Sequence, residues 1–210
     1  MKMLKILGPL FTVVLFVIIY TQYPRLNIVA GYAAKNLSSN VFIANRSVES
    51  VNAIDNNIPS VDMAKSKVIL SEKTAVSNVF GIITRKAFYR EGQGAVLIDD
   101  DFDVHQNFLK PKRTANTSKL PYPYGTGAPI DTIFENINYN KLSSAIEKAF
   151  KENRLESQKH TRALIVIYKN KLIAEKYGSD FTKNTKFLGW SMAKSLLSAT
   201  IGALEYNKGF

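Results

Sequence analysis

Ser191 and Lys194 are the residues whose types and spacing best fit chemistry. Three positions apart on a helix, their side chains share one face of one turn. A serine hydroxyl is a weak nucleophile until a base removes its proton. A lysine amine can be that base only where burial lowers its pKa toward neutrality. A helix N-terminus adds to both effects: its free N–H groups can receive a developing oxyanion, and its dipole disfavours the ammonium. The pair therefore points to nucleophilic catalysis. The same residues also admit a plain reading, an N-capping serine and a lysine that lays its stem on apolar surface and keeps its ammonium in water. Spacing alone decides little. Chance yields one or two Ser-x-x-Lys matches in a chain this rich in serine and lysine, and this chain holds one.

The elements that must position the pair are legible around it. Residues 191–207, SMAKSLLSATIGALEYN, read as a helix closed by Gly209 at the C′ position. Lys194 and Glu205 are its only charges. A helix apolar on every side belongs in a core, so Lys194 is expected to be buried or half-buried near the first turn. Gly189 and Trp190 precede it directly. Upstream, Ala163–Tyr168 and Leu172–Lys176 read as two strands around a turn at Lys169-Asn170-Lys171, with Gly178-Ser179-Asp180 ending the hairpin. Residues 182–188 are a polar connector. A further helix is expected from a cap at Asp131 to about Asn153, with Ile133, Phe134, Ile137, Leu142, Ile146, Ala149 and Phe150 approximating one face.

Earlier segments carry less chemistry. Residues 67–98 are β-branched and aromatic and predict two or three strands, with a turn at Glu91-Gly92-Gln93-Gly94. Residues 25–60 are polar and mixed, with one short helix over Gly31–Leu37 and a turn at Asp55-Asn56-Asn57. Asp99, Asp100, Asp101 and Asp103 lack the ligand pattern of a calcium loop and read as a solvated turn. Residues 110–129 read as a linker or crossing segment. Gly125-Thr126-Gly127 within it lacks the preceding strand and following Lys-Ser/Thr of a phosphate loop.

The first segment is an address. Lys2 and Lys5 precede LGPLFTVVLFVIIY at Leu7–Tyr20, and no further charge occurs until Arg25. A positive start followed by an apolar run is an export signal. Extended from Met3 to Tyr23, the run approaches the ~20 residues that cross a bilayer, with Tyr20 and Tyr23 at the far interface. Two outcomes stay open, an uncleaved anchor and a signal cleaved after export. In either case the remainder is exported. The expected organisation is a signal anchor or signal peptide over 1–24, an N-terminal extension with short strands over 25–120, and a domain bearing Ser191 over 121–210.

Composition excludes several classes. The 210 residues are 46% apolar and 21% charged, which fits neither a disordered chain nor a multi-span membrane protein. The net charge of +11 is spread along the chain and no dense basic block occurs, so no nucleic-acid partner is expected. Absence of cysteine removes disulfides, thiol nucleophiles and cysteine-based zinc sites. With only His105 and His160, a His-rich metal site is excluded too. No metal or cofactor is expected, and nothing in the chain reports an oligomeric state.

The stretch TRALIVIYKNKLIAEKYG, followed by FLGWSMAKSLLSATIGALEYNKG, resembles the β-lactamase-related serine hydrolases: class C β-lactamases, penicillin-binding DD-peptidases, esterases and 6-aminohexanoate-dimer hydrolases. The likeness covers about residues 125–210. GYAAKNLSSNVFIANRSVES and AFYREGQGAVLI resemble the N-terminal extension of a membrane-anchored subgroup, in which cysteines are expected near Ser38 and Ala95; their absence implies that any such cross-link is lost.

The resemblance implies an α+β fold, the N-terminal part of a β-lactamase/DD-peptidase-like domain: an antiparallel sheet with flanking helices, preceded by one transmembrane or signal helix. It implies that Ser191 is acylated, that Lys194 is its base partner, and that Gly189 and Trp190 shape the substrate approach. The reaction would be hydrolysis of a small amide or ester through an acyl-enzyme. The location would be the bacterial inner membrane, with the domain in the periplasm or at the cell surface, or secreted. The family's second and third motifs are not found after Lys194. Tyr168-Lys169-Asn170, Ser38-Ser39-Asn40 and Ser50-Val51-Asn52 match the second motif only by letter and lie too early. The chain is therefore expected to be a truncated hydrolase, marginally stable and inactive alone, with an open strand edge at Ala163–Tyr168 and a thinly covered helix after Ser191. The alternative is a non-catalytic, exported, membrane-anchored binding or scaffold protein that retains half of the fold.

Overall fold

The computed structural model describes residues 2–112, 118–151, 159–207 and 209. They form a mixed α+β structure with antiparallel sheets, divided into two compact units. One unit takes the residues up to 110 together with those from 186 onward; the other takes residues 111–185.

The first unit begins with one long helix, α1 (Lys2–Phe42). Where the sequence suggested a separate short helix over 31–37, the helix runs on without a break, through Pro24. Proline there denies the Tyr20 carbonyl its helical donor, a cost of about 3 kcal/mol in an ordinary helix interior. The packing of residues 26–42 offsets it. A helical turn, α2 (Val48–Ser50), follows; the Ser47 hydroxyl caps it by accepting from the Ser50 N–H at 3.1 Å. It passes into a π-helical turn over Val51–Asp55. Then come four strands, β1 (Ala64–Ile69), β2 (Thr74–Val79), β3 (Ile83–Arg90) and β4 (Gly94–Ile98), paired antiparallel in chain order. The sequence had shown two or three of them.

Small residues let α1 lie close on this meander. Ala30, Ala33 and Ala34 are fully buried on the helix, and Ala75 and Ala87, paired across β2 and β3, are fully buried on the sheet. Two apolar clusters mark the ends of the contact. Ala30, Val79 and Ile83 gather Leu26, Val29 and Ala64; Leu37, Val51 and Ala75 gather Val41, Val48 and Val68. At the β4 side, Gly31 approaches Leu97 so closely that an added Cβ would sit 3.3 Å from Leu97 Cδ1. With no cysteine in the chain, packing alone holds this edge.

A buried polar network fixes the other flank of α1. Asn36 Nδ2 donates to Asn56 Oδ1 at 2.9 Å, and Asn40 Nδ2 donates to Asn36 Oδ1 at 3.0 Å. Arg46 donates to Asn40 Oδ1 at 3.3 Å and to Ser50 Oγ at 2.8 Å, and forms an ion pair with Asp55, both side chains nearly buried. Asn52 Nδ2 reaches the Ser66 carbonyl at 3.1 Å. These residues lie in the stretch the sequence showed only as polar and mixed.

The acidic stretch after β4 is held by ion pairs. Asp99 pairs with Arg85 at 3.2 Å and Asp100 with Lys86 at 2.8 Å, and Lys86 holds the Asp100 carboxyl below its usual value. Among the described residues no cluster of His, Asp and Glu could hold a metal ion.

In the second unit, residues 118–127 close into a turn: Thr126 N–H donates to Ser118 O, and Gly127 N–H to Leu120 O. A Cβ on Gly125 or Gly127 would meet the Leu120 or Lys119 carbonyl oxygen at 2.5 Å, so glycine at both is a packing requirement. Helix α3 (Tyr139–Phe150) begins later than the sequence suggested, because Asn138 takes the cap: its Oδ1 accepts from Lys141 N–H at 2.9 Å. Before it, the Tyr139 hydroxyl accepts from the Phe134 N–H at 3.0 Å and holds a non-helical turn. The expected tail of this helix at 152 and 153 lies outside the described residues. Strands β5 (Ala163–Tyr168) and β6 (Lys171–Tyr177) form a hairpin. Its two-residue loop has positive φ at Lys169 (45°) and Asn170 (60°), the twist a tight hairpin requires. β5 has no second strand partner among the described residues.

Candidate active site

Ser191 and Lys194 open helix α4 (Met192–Tyr206), in the first unit. Met192, Ala193 and Lys194 N–H groups donate to the carbonyls of Gly189, Trp190 and Ser191, at 2.9, 3.1 and 3.0 Å. This tight start consumes three of the donors a helix N-terminus offers. The Ser191 N–H has no backbone acceptor among the described residues and is the donor left for an oxyanion. At the far end Gly209 N–H donates to the Leu204 carbonyl at 2.9 Å, closing the helix one residue later than C′.

The serine does not act as a cap. Its backbone is helical (φ −66°, ψ −13°), whereas a capping serine is extended, and its hydroxyl makes no capping bond. Lys194 Nζ donates to Ser191 Oγ instead, at 3.2 Å. The fold thus joins the two residues singled out by spacing and leaves the hydroxyl to the amine.

Burial is where the sequence reading fails. Lys194 is exposed, Ser191 is exposed, and α4 buries none of its residues. Met192 is 67% exposed, Leu196 71% and Leu197 61%. Apolar character around a helix states a need for cover, but the covering surface must come from elsewhere, and no described element supplies it. The burial expected of Lys194 is therefore absent here.

Gly189 and Trp190 lie directly before the pair. Trp190 has φ +44°, a left-handed conformation that costs a bulky residue about 1–2 kcal/mol. Its ring stacks on Tyr32 of α1, with centroids 5.4 Å apart and an 18° tilt. Burial, and then the negative charge of Asp55, push the Tyr32 hydroxyl above its ordinary value. Gly189 has open space where a side chain would stand. Sequence reasoning missed Tyr32, for no local pattern links it to residue 190.

Lys35 and Tyr177 also carry shifted chemistry, away from this pair. Lys35 on α1 is half-buried and donates to Ser39 Oγ at 2.8 Å; burial lowers its pKa. In the second unit, the Tyr177 hydroxyl donates to Glu175, which pushes its pKa up to about 12. A shallow groove there is lined by Tyr122, Gly125, Thr126, Ile165, Leu172 and Tyr177. Lys35 faces a fully buried hydroxyl, and the Tyr177 phenol is held by the Glu175 carboxylate.

Among the described residues no helix is long and apolar enough to cross a membrane. No family model matches the chain, nor does any curated protein or solved structure.

Proposed function

We propose that Ser191 is an acylable nucleophile paired with Lys194, in an exported, membrane-attached serine hydrolase of β-lactamase-related type that acts on small amides or esters. The observation that carries this reading is the 3.2 Å approach of Lys194 Nζ to an uncapped Ser191 Oγ at a helix N-terminus. The Ser191 N–H adds one oxyanion donor, and a single such donor can contribute about 3 kcal/mol in a water-excluding site.

Water is not excluded around this pair, whereas a base that removes the serine proton works best in a dry site. The proposed site therefore becomes competent when α4 is covered, which dries Lys194 and gives the substrate a wall. A bare α4 also favours a second reading, that the chain is a non-catalytic exported scaffold whose apolar helix is a contact surface.

A fluorescent penicillin and a chromogenic ester test the two readings on the full chain in detergent. The enzymatic reading expects a covalent penicillin adduct, or a burst of ester product, that Ser191→Ala removes. Turnover that survives Ser191→Ala assigns the chemistry to another nucleophile, and no adduct or burst with either reagent favours the scaffold.

A further inference from the structure

We infer that the first unit rests on the bilayer surface through the β2–β3 hairpin tip, Phe80-Gly81-Ile82, as a second lipid contact beside the N-terminal half of α1. The inference rests on the membrane-attached reading above.

Geometry sets the height of the tip. β2 runs opposite to α1: Ala75 packs with Leu37, and Val79 packs with Ala30. Seven helix residues rise about 10 Å and four strand residues about 13 Å, so the two tracks keep pace. The turn beyond Val79 therefore lies level with α1 near Leu26, where the apolar run ends at Tyr20 and Tyr23. No linker separates the two, because α1 is continuous from Lys2 to Phe42.

The tip has the chemistry of an interfacial contact. Phe80 is 64% exposed and Ile82 68% exposed, on a turn built from consecutive positive φ angles at Phe80 (55°) and Gly81 (74°). The Asn78 side chain accepts the Gly81 N–H at 2.6 Å, so the turn has its own support and keeps its apolar side chains outward. Ile28 is exposed at the same level on the helix.

A bilayer suits this surface better than a protein groove. Val13, Val14, Phe16, Val17, Ile19 and Tyr20 are exposed and spread over more than half of the helix circumference. A groove covers one face of a helix, whereas lipid covers every face. Tyr20, Tyr23 and Arg25 then stand at the headgroup level, as aromatic and basic residues do at membrane interfaces. Asp62 and Lys65 flank the same end of the sheet and offset each other, leaving Arg25 as the basic residue there, so the contact rests mainly on apolar insertion.

The absence of cysteine makes the test direct. Single cysteines at Val17, Phe80, Ile82 or Leu70 of the full chain carry an environment-sensitive fluorophore in phosphatidylcholine vesicles. The vesicles contain lipids spin-labelled at the headgroup or at mid-chain. Leu70 is the control, since it is apolar and 73% exposed on the β1–β2 turn at the opposite end of the sheet. The inference predicts mid-chain quenching at 17, headgroup quenching at 80 and 82 several-fold above that at 70, and blue-shifted emission at 80 and 82 alone of the three. Quenching at 17 with 80 and 82 equal to 70 overturns the tip contact and spares the anchor. No quenching at 17 overturns the anchor reading, and the tip contact with it.

Discussion

A proton relay needs a hydroxyl that is not otherwise engaged, and Ser191 meets that condition because its backbone has already turned helical and its Oγ caps nothing. Lys194 supplies the only side-chain hydrogen bond it receives among the described residues. A guanidinium can repeat that bond but cannot give up its proton. Lys194→Arg is therefore predicted to lower the acylation rate by about 10²–10⁴-fold while leaving the fold intact, as checked by stopped-flow labelling beside circular dichroism. Lys35 offers a second residue-scale prediction. Its folded pKa lies below the unfolded value, so between the two the unfolded chain binds more protons and stability rises with pH. Urea midpoints followed as the pH rises toward 10.5 should gain more for the native chain than for Lys35→Met. In the second unit, Glu175→Gln should return the Tyr177 titration from about 12 toward 10.0, read by phenolate absorbance.

At the scale of elements, α1 is held by small apolar contacts on one side and by an amide network on the other. Asn36→Ala leaves Asn56 and Asn40 short of partners in a buried site and is predicted to cost about 1–3 kcal/mol. Ser38→Ala should cost nothing or stabilise, because its buried hydroxyl has no partner to lose among the described residues. Urea unfolding of the two variants checks the contrast. Much at this scale was legible in the sequence. The β5–β6 loop, the turn at Glu91-Gly92-Gln93-Gly94 and both ends of α4 follow from local signals, and each was placed within a residue or two. The start of α3 was not, since Asp131 and Asn138 are both good caps and a tertiary detail, the Tyr139 hydroxyl on the Phe134 N–H, favours the later one. The passage of α1 through Pro24 was also hidden, because it depends on Ala30, Ala33 and Ala34 meeting a sheet that lies further along the chain.

For the whole molecule, the Ser-x-x-Lys spacing was readable and its burial was not. Periodicity reports which faces are apolar, and what lies against them is a property of the assembled surface. The 192–206 helix keeps Met192, Leu196, Leu197, Ile201 and Leu204 open to solvent, so the chain carries a large uncovered apolar surface at the very place where a catalytic lysine would need dryness. That coupling is the centre of the proposal: Ser191 and Lys194 are brought together, and the strength of the proposed nucleophile would be set by what covers α4. The direct measurement is fluorophosphonate labelling of the full chain, with detergent present to cover α4 and at lower rate without it, and with the modified residue located by peptide mass analysis. The account predicts one adduct, on Ser191, abolished by Ser191→Ala and suppressed by Lys194→Arg. An adduct on another serine, or labelling indifferent to Lys194, would contradict it.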